Sequence, residues 1–226
     1  MNPPSSVAAT GGPEAVALAL ASCAACPRLA KFLAEVRAAH PEYHARPVMP
    51  FGDHRARLLV VGLAPGMHGA NRTGRPFTGD HAGILLYETL HRYGFASQPT
   101  SLAAGDGLQL HDCRITNAVK CLPPQNKPLP VEIRTCNHYL AEELRAAPAL
   151  RVVVALGSIA HGAVLKALGL RLADHAFAHG ARHLLPEGRI LLDSYHCSRY
   201  NTQTRRLTAE GFAAIFAAVR DELERA

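Results

Sequence analysis

The sequence predicts an α/β fold with three layers, α/β/α, around a central four-stranded, mainly parallel sheet. Three observations lead there. Short continuous apolar runs have strand length, segments of helical length separate them, and the runs end in irregular loops rich in Gly and Pro. Strands buried on both faces read as unbroken apolar runs, as parallel strands between two helical layers should.

Residues 1–12 read as a disordered tail and 13–226 as one domain, since 226 residues are enough to bury one substantial core. Val16 to Ala21 start a helix. Leu20, Ala21, Ser22 and Cys23 imitate a lipoprotein cleavage site, but no Lys or Arg precedes them and Pro13 and Glu14 interrupt the approach, so the positively charged leader is missing. No apolar run approaches the roughly 18 residues that span a bilayer. The expectation is therefore a cytoplasmic protein without membrane association, whose six cysteines are metal ligands or free thiols rather than disulfides.

A helix at about 27–39 leads to the first strand, RLLVVG at 57–62. The next eighteen residues, 63–80, lack periodicity and hold four glycines and two prolines, which marks a functional loop in so short a chain. A helix is expected at about 82–93, a strand at 113–119, an irregular stretch at 122–130 and a helix at about 131–146. RVVVAL at 151–156 is the clearest strand, and Gly157 and Ser158 turn it into a helix that stops before Gly169. A fourth strand at 188–194 feeds a loop at 196–205, and an amphipathic helix at about 207–225 completes the pattern. Ligands of such sheets sit beyond the carboxyl ends of the strands, where the loops after Gly62, Val119 and Ser194 emerge. There are no internal repeats.

The net charge of +6 favours an anionic partner such as nucleic acid, although a mildly basic enzyme of any kind fits it too. The first loop offers Arg72 and Arg75 for phosphate or carboxylate, glycines for close backbone approach, and the stacking face of Phe77. The last loop, YHCSRYNTQTRR at 195–206, combines an imidazole, hydroxyls and arginines that suit a phosphate backbone. Neither the phosphate-loop lysine pattern nor a dinucleotide GxGxxG occurs at a strand end. Cys23 and Cys26 form a C-x2-C pair, and Cys121 with Cys136 supplies two more thiols. Four thiolates suit a tetrahedral zinc or an iron–sulfur cluster, spacing does not separate the two, and unligated buried thiols remain an alternative. Cys113 and Cys197 are left over.

Taken together, these segments resemble the uracil-DNA glycosylase superfamily, and specifically its type b branch, family 5. GLAPG at 62–66, NRTGR at 71–75 and FTGD at 77–80 look like that branch's first motif, ITNAVKC at 115–121 with NKP at 126–128 like its middle segment, and the four cysteines like its [4Fe–4S] framework. The resemblance, rather than the spacing, selects iron–sulfur over zinc. It implies a monofunctional DNA-repair glycosylase that hydrolyses the N-glycosidic bond of uracil, and of hypoxanthine or xanthine, in DNA. It also implies a DNA partner and a monomer. The same fold would place the flipped base in a pocket at the strand ends.

Roles follow by the same resemblance. Gly62 and Ala64 line the base pocket, Phe77 stacks on the base and Asn117 reads its Watson–Crick edge, against the alternatives of a core aromatic and of an amide that serves backbone groups. His196 hydrogen-bonds the departing base as charge builds on it. Ala64 is apolar where many superfamily members carry a polar residue, which leaves Asp80 to orient water or stabilise the sugar cation. Asp80 equally suits the cap of the following helix, and both roles can coexist. Ser198 and Thr202 contact phosphates, Tyr200 takes the place of the wedge that fills the vacated stack, and Arg205 stands where a glycine is frequent. Cys197 departs from the usual His-Pro-Ser pattern. No lysine sits in the motif positions to act as an amine nucleophile, so no lyase step is expected. A stricter family 4 enzyme and a non-catalytic iron–sulfur module are the rival readings.

Overall fold

The structure, a computed structural model, describes residues 13–225, and the expected tail at 1–12 lies outside them. Six strands form one sheet in the order β1-β3-β2-β4-β6-β5. β1 is Phe51–Gly52, β2 Leu58–Gly62, β3 Cys113–Asn117, β4 Val152–Leu156, β5 Arg182–Leu184 and β6 Ile190–Ser194. The helices are α1 (Pro13–Ala21), α2 (Pro27–Ala39), α3 (Ala70–Thr73), α4 (His81–Arg92), α5 (Pro130–Arg145), α6 (Ser158–Ala167), α7 (Arg199–Gln203) and α8 (Ala209–Glu224).

The four predicted strands form the parallel centre, in register through Val60↔Ile115, Val60↔Val154 and Val154↔Leu192. The expected count of four falls short by two antiparallel edge strands, β1 on β3 and β5 on β6. Two residues in one and three largely exposed residues in the other carry no apolar run, so periodicity had nothing to register. Two further differences are the short α3 inside the first loop and α7 inside the last, each one turn built from polar residues.

Alternation along each central strand sorts its side chains between two cores. Leu58 and Val60 face α4 and α8, whose Leu86, Leu90, Phe212 and Phe216 are fully buried, while Leu59 and Val61 face Leu140 of α5 and Val164 of α6. On α8 the apolar stripe Phe212, Ile215, Phe216, Val219 and Leu223 follows the helical period, and Thr208 caps its start by accepting from the Gly211 N–H. After β2 the chain adds β3 on one side, then crosses through α5 to add β4 on the other. That reversal opens a crevice at the carboxyl ends of β2 and β4, where open α/β sheets bind ligands.

α1 and α2 pack outside this framework. Arg28 of α2 donates from Nε and Nη2 to the two carboxylate oxygens of buried Glu132 on α5, each at 2.7 Å, and Tyr139 donates to the Ala19 carbonyl at 3.2 Å. Just beyond β3, Lys120 is fully buried and its ammonium lies between Thr116 and Glu143. Breaking a buried ion pair leaves the remaining charge uncompensated, so Lys120→Ala should cost about 3–5 kcal/mol in urea unfolding. A loss under about 1 kcal/mol, the value of an exposed pair, would show that the pair does not support the sheet.

Candidate active site

The crevice is a cavity of about 1160 Å3 whose lining includes Ala64, Phe77, Asp80, Asn117, His196 and Ser198. Three strand ends deliver these residues, β2 through the first loop, β3 directly, and β6 through the last loop. Gly62, the last residue of β2, pairs with Asn117, the last of β3. A Cβ at Gly62 would stand 2.4 Å from Asn117 Oδ1 and 2.5 Å from Phe77 Cζ, so only glycine lets both side chains reach this point. Gly62 therefore shapes the cavity from behind. Ala64 reaches the lining and brings no polar side-chain atom to it.

Phe77 is buried, and its backbone has a φ of 54°, a left-handed value uncommon for a non-glycine residue. Its ring lies 5.9 Å from that of His196 at an interplanar angle of 28°. Asn117 is 4% exposed, and its Oδ1 has no hydrogen-bond partner within the protein. His196 Nδ1 is buried without one as well. Orphaned buried polar atoms are costly, and they mark a place where a ligand can supply the missing partner. Burial lowers the His196 pKa to about 4, so the imidazole is neutral at physiological pH.

Asp80 holds the first loop to α4. One carboxylate oxygen, Oδ1, accepts the Gly83 N–H at 3.0 Å as the helix cap. The other, Oδ2, lies against the backbone of Gly66 and Gly69, where a Cβ on Gly69 would come within 2.3 Å of it. Burial raises the Asp80 pKa, against the lowering effect of the Gly83 and Ala82 N–H groups. Asp80 thus lines the cavity while its carboxylate caps the helix.

In the last loop the Ser198 hydroxyl oxygen accepts from the Asn201 N–H and retains its proton for an outside acceptor. Tyr200 is 71% exposed on α7. Thr202 is more occupied than the expected phosphate contact: its hydroxyl lies within bonding distance of the Ser198 and Arg199 carbonyls and 3.0 Å from His81 Nε2, and so clasps the last loop to the start of α4. Arg205 adopts a φ of 57°, the left-handed conformation that favours glycine.

Arg75 is a correction. It is buried and turned inward, with Nη1 and Nη2 on the two Asp106 oxygens at 2.9 and 2.7 Å and Nε on Thr78 Oγ1 at 2.8 Å. It organises the loop beside the cavity and is closed to a phosphate. Arg72 does line the cavity, as do Arg199 and Arg206, the latter 4.4 Å over the Tyr195 ring. Sequence reasoning gave no role to His81, to Phe177 in the opposite wall, or to Asn71. The Asn71 amide is fully buried with both polar atoms unpartnered, and only its place inside the NRTGR motif hinted at importance.

Cys23, Cys26, Cys121 and Cys136 line a second, small recess with Leu20, Leu29 and Tyr139, away from the cavity. Burial and then the neighbouring thiols raise Cys26 to about 11 and Cys121 to about 12. The Lys120 N–H reaches Cys136 Sγ at 3.3 Å. Cys113 and Cys197 are buried in the sheet–α4–α8 core and stand apart from the four.

The uracil DNA glycosylase superfamily model matches residues 49–220. The type-5 uracil-DNA glycosylase of Thermus thermophilus is 53% identical over 207 residues, covering 89% of this chain and 94% of that protein. That of Pyrobaculum aerophilum is 44% identical over 200 residues, 87% of each chain. The type-4 enzyme of Archaeoglobus fulgidus is 38% identical over 110 residues only, 48% of this chain and 47% of that one.

The two functions of the Asp80 carboxylate are separable by substitution. Asparagine caps helices as well as aspartate does, so Asp80→Asn should unfold within about 0.5 kcal/mol of the parent, whereas Asp80→Ala should lose about 1 kcal/mol. Equal stabilities for the two variants would show that the cap contributes nothing.

Proposed function

Because the chain belongs to the uracil-DNA glycosylase superfamily, in its family 5, we propose that it removes uracil from DNA by hydrolysing the N-glycosidic bond, leaving an abasic site for repair. The observation that carries this reading is the pair of buried, unpartnered atoms Asn117 Oδ1 and His196 Nδ1 in residues lining one cavity with Phe77. A base swung out of the duplex stacks on Phe77, and the Asn117 amide reads its Watson–Crick edge. As the glycosidic bond breaks, negative charge gathers on the base and neutral His196 donates a hydrogen bond to it. Asp80, ionised, orients the attacking water and stabilises the cationic sugar. Ser198, Tyr200 and Arg205 face the DNA from α7 and the turn after it, Ser198 as phosphate donor and Tyr200 as the wedge. Thr202 serves the same contact through its clasp on His81. Residues 13–226 form one domain that acts as a monomer on cytoplasmic DNA.

A [4Fe–4S] cluster on Cys23, Cys26, Cys121 and Cys136 fits the donor set. Four thiolates around one recess suit an iron–sulfur cluster or a tetrahedral zinc, and the likeness to family 5, rather than their spacing, selects the cluster. When bound, the cluster supplies metal–thiolate bonds that cross-link the α1–α2 segment to α5 and the end of β3. Replacing Cys121 by Ser should reduce bound iron and lower the melting temperature. Iron content equal to the parent's would remove Cys121 from the ligand set.

Incubation of the enzyme with a uracil-containing duplex, followed by alkali, should cleave the strand at the uracil position; bound but intact DNA would refute catalysis. His196→Ala should lower the rate by about 10²–10³-fold, and Asp80→Asn by about 10²-fold or more. The pH profile carries a sign. Asp80 works ionised and its pKa is raised, so the rate falls on acidification at a pH above the ordinary aspartate value of about 3.9. His196 adds no inflection near its usual value of about 6.5, since it has already lost its extra proton above about 4. An inflection near 6.5 that disappears in His196→Ala would contradict the neutral donor.

The apolar side chain of Ala64 in the cavity lining places no polar restriction there and also supports excision of hypoxanthine and xanthine. Competition between uracil, hypoxanthine and xanthine duplexes should give measurable release of all three. Release of uracil alone would restrict the enzyme to pyrimidines.

A further inference from the structure

We propose that His161, His183 and Asp193 form a second metal site, for a divalent transition ion of the zinc type. Their three ligand atoms all lie within 4.8 Å of one another, and the residues come from α6, β5 and β6. His161 Nδ1 is 2.8 Å from Asp193 Oδ1, and His183 Nε2 is 3.0 Å from Asp193 Oδ2. His161 and Asp193 are fully buried, while the His183 side chain is 12% exposed at the sheet edge and offers a path of entry. Two imidazoles and a carboxylate are a ligand set of zinc and its first-row neighbours, and they are too nitrogen-rich for calcium or magnesium. A metal-bound histidine usually donates its other N–H to a carbonyl or carboxylate, which fixes the ring. That partner is present: His161 Nε2 lies 2.9 Å from the His175 carbonyl oxygen, leaving Nδ1 to bind the ion.

The three protein ligands leave one tetrahedral position for water. Ion binding releases the ring protons that otherwise point at Asp193. The site belongs to neither the cysteine recess nor the base cavity, and it stands whether or not the glycosylase reading holds. Its structural consequence does reach the cavity. β5 and the irregular segment before it carry Phe177 into the cavity wall, against His161 with ring centroids 5.6 Å apart, so an ion on His161, His183 and Asp193 would pin that wall to α6 and β6.

The alternative is a purely proton-held network, in which His161, between two acceptors, keeps both ring protons. Cobalt(II) titration of the cluster-loaded full chain separates the two. The expected result is one tight equivalent with a d–d spectrum free of thiolate charge transfer, displaced by zinc(II), and a zinc-dependent rise in melting temperature. His183→Gln retains an N–H for Asp193 but loses the imidazole ligand. It should weaken cobalt binding by at least about 10- to 100-fold and abolish the zinc-dependent rise, while the exposed-surface variant His91→Ala should bind as the parent does. Absence of binding by the folded parent, a thiolate charge-transfer band, or equal affinity in His183→Gln would each overturn the site.

Discussion

A Cβ at position 62 would fall 2.4 Å from Asn117 Oδ1 and 2.5 Å from Phe77 Cζ, so two adjacent strands and an eighteen-residue loop converge on one point only because that carbon is missing. The pairing of Gly62 with Asn117 places the amide beside this gap, and the left-handed backbone at Phe77 turns the ring into it. The same economy recurs at Gly69, whose missing side chain admits the Asp80 carboxylate. In both places, at the end of β2 and in the loop that follows, a glycine gives up side-chain volume to groups of the proposed chemistry. The strain at Phe77 is sustained because the surrounding sheet and α4 over-determine its position.

Burial acts on the two titratable groups of the cavity in opposite directions. It pushes the Asp80 carboxyl up and the His196 imidazole down, each toward its uncharged form. The difference between them lies in the backbone. Asp80 receives N–H groups at the start of α4, which support its ionised form, whereas Nδ1 of His196 receives nothing. The same burial therefore meets backbone support at Asp80 and none at His196, a difference that would suit the proposed chemistry.

How much of this could be read in the sequence depended on whether a residue's role was local. Continuous apolar runs such as 152–156 announced the central strands because both faces of each are buried. Edge strands β1 and β5 carry no such constraint and passed unseen. At the site, the capping role of Asp80 was readable because a cap depends on a residue three positions away. Arg75 was misjudged because its meaning comes from Asp106, thirty-one residues on, and the Thr202 contact with His81, 121 residues away in sequence, left no local signal. The cysteines were legible as a set, yet Arg28–Glu132, which joins the same two segments, is an ordinary pair of charges until the fold brings it together.

The stretch between Asn117 and Cys121 joins the cavity to the cysteine recess. Ala118 and Val119 donate their N–H groups to the carbonyls of Gly62 and Leu63 at 2.9 and 3.0 Å, extending the sheet ladder beyond β3. Lys120 then buries its side chain against Glu143 and gives its N–H to Cys136 Sγ, and Cys121 follows at the recess. Every residue from the amide to the thiol is anchored, so no flexible joint separates them. Displacement of Cys121 strains Lys120 first, because a buried ammonium cannot leave Glu143 without a large desolvation cost. The strain then passes to the two ladder bonds that set the height of Asn117. On the proposed reading, a cluster at the recess would in this way bear on the position of the Asn117 amide, through the three residues that separate it from Cys121.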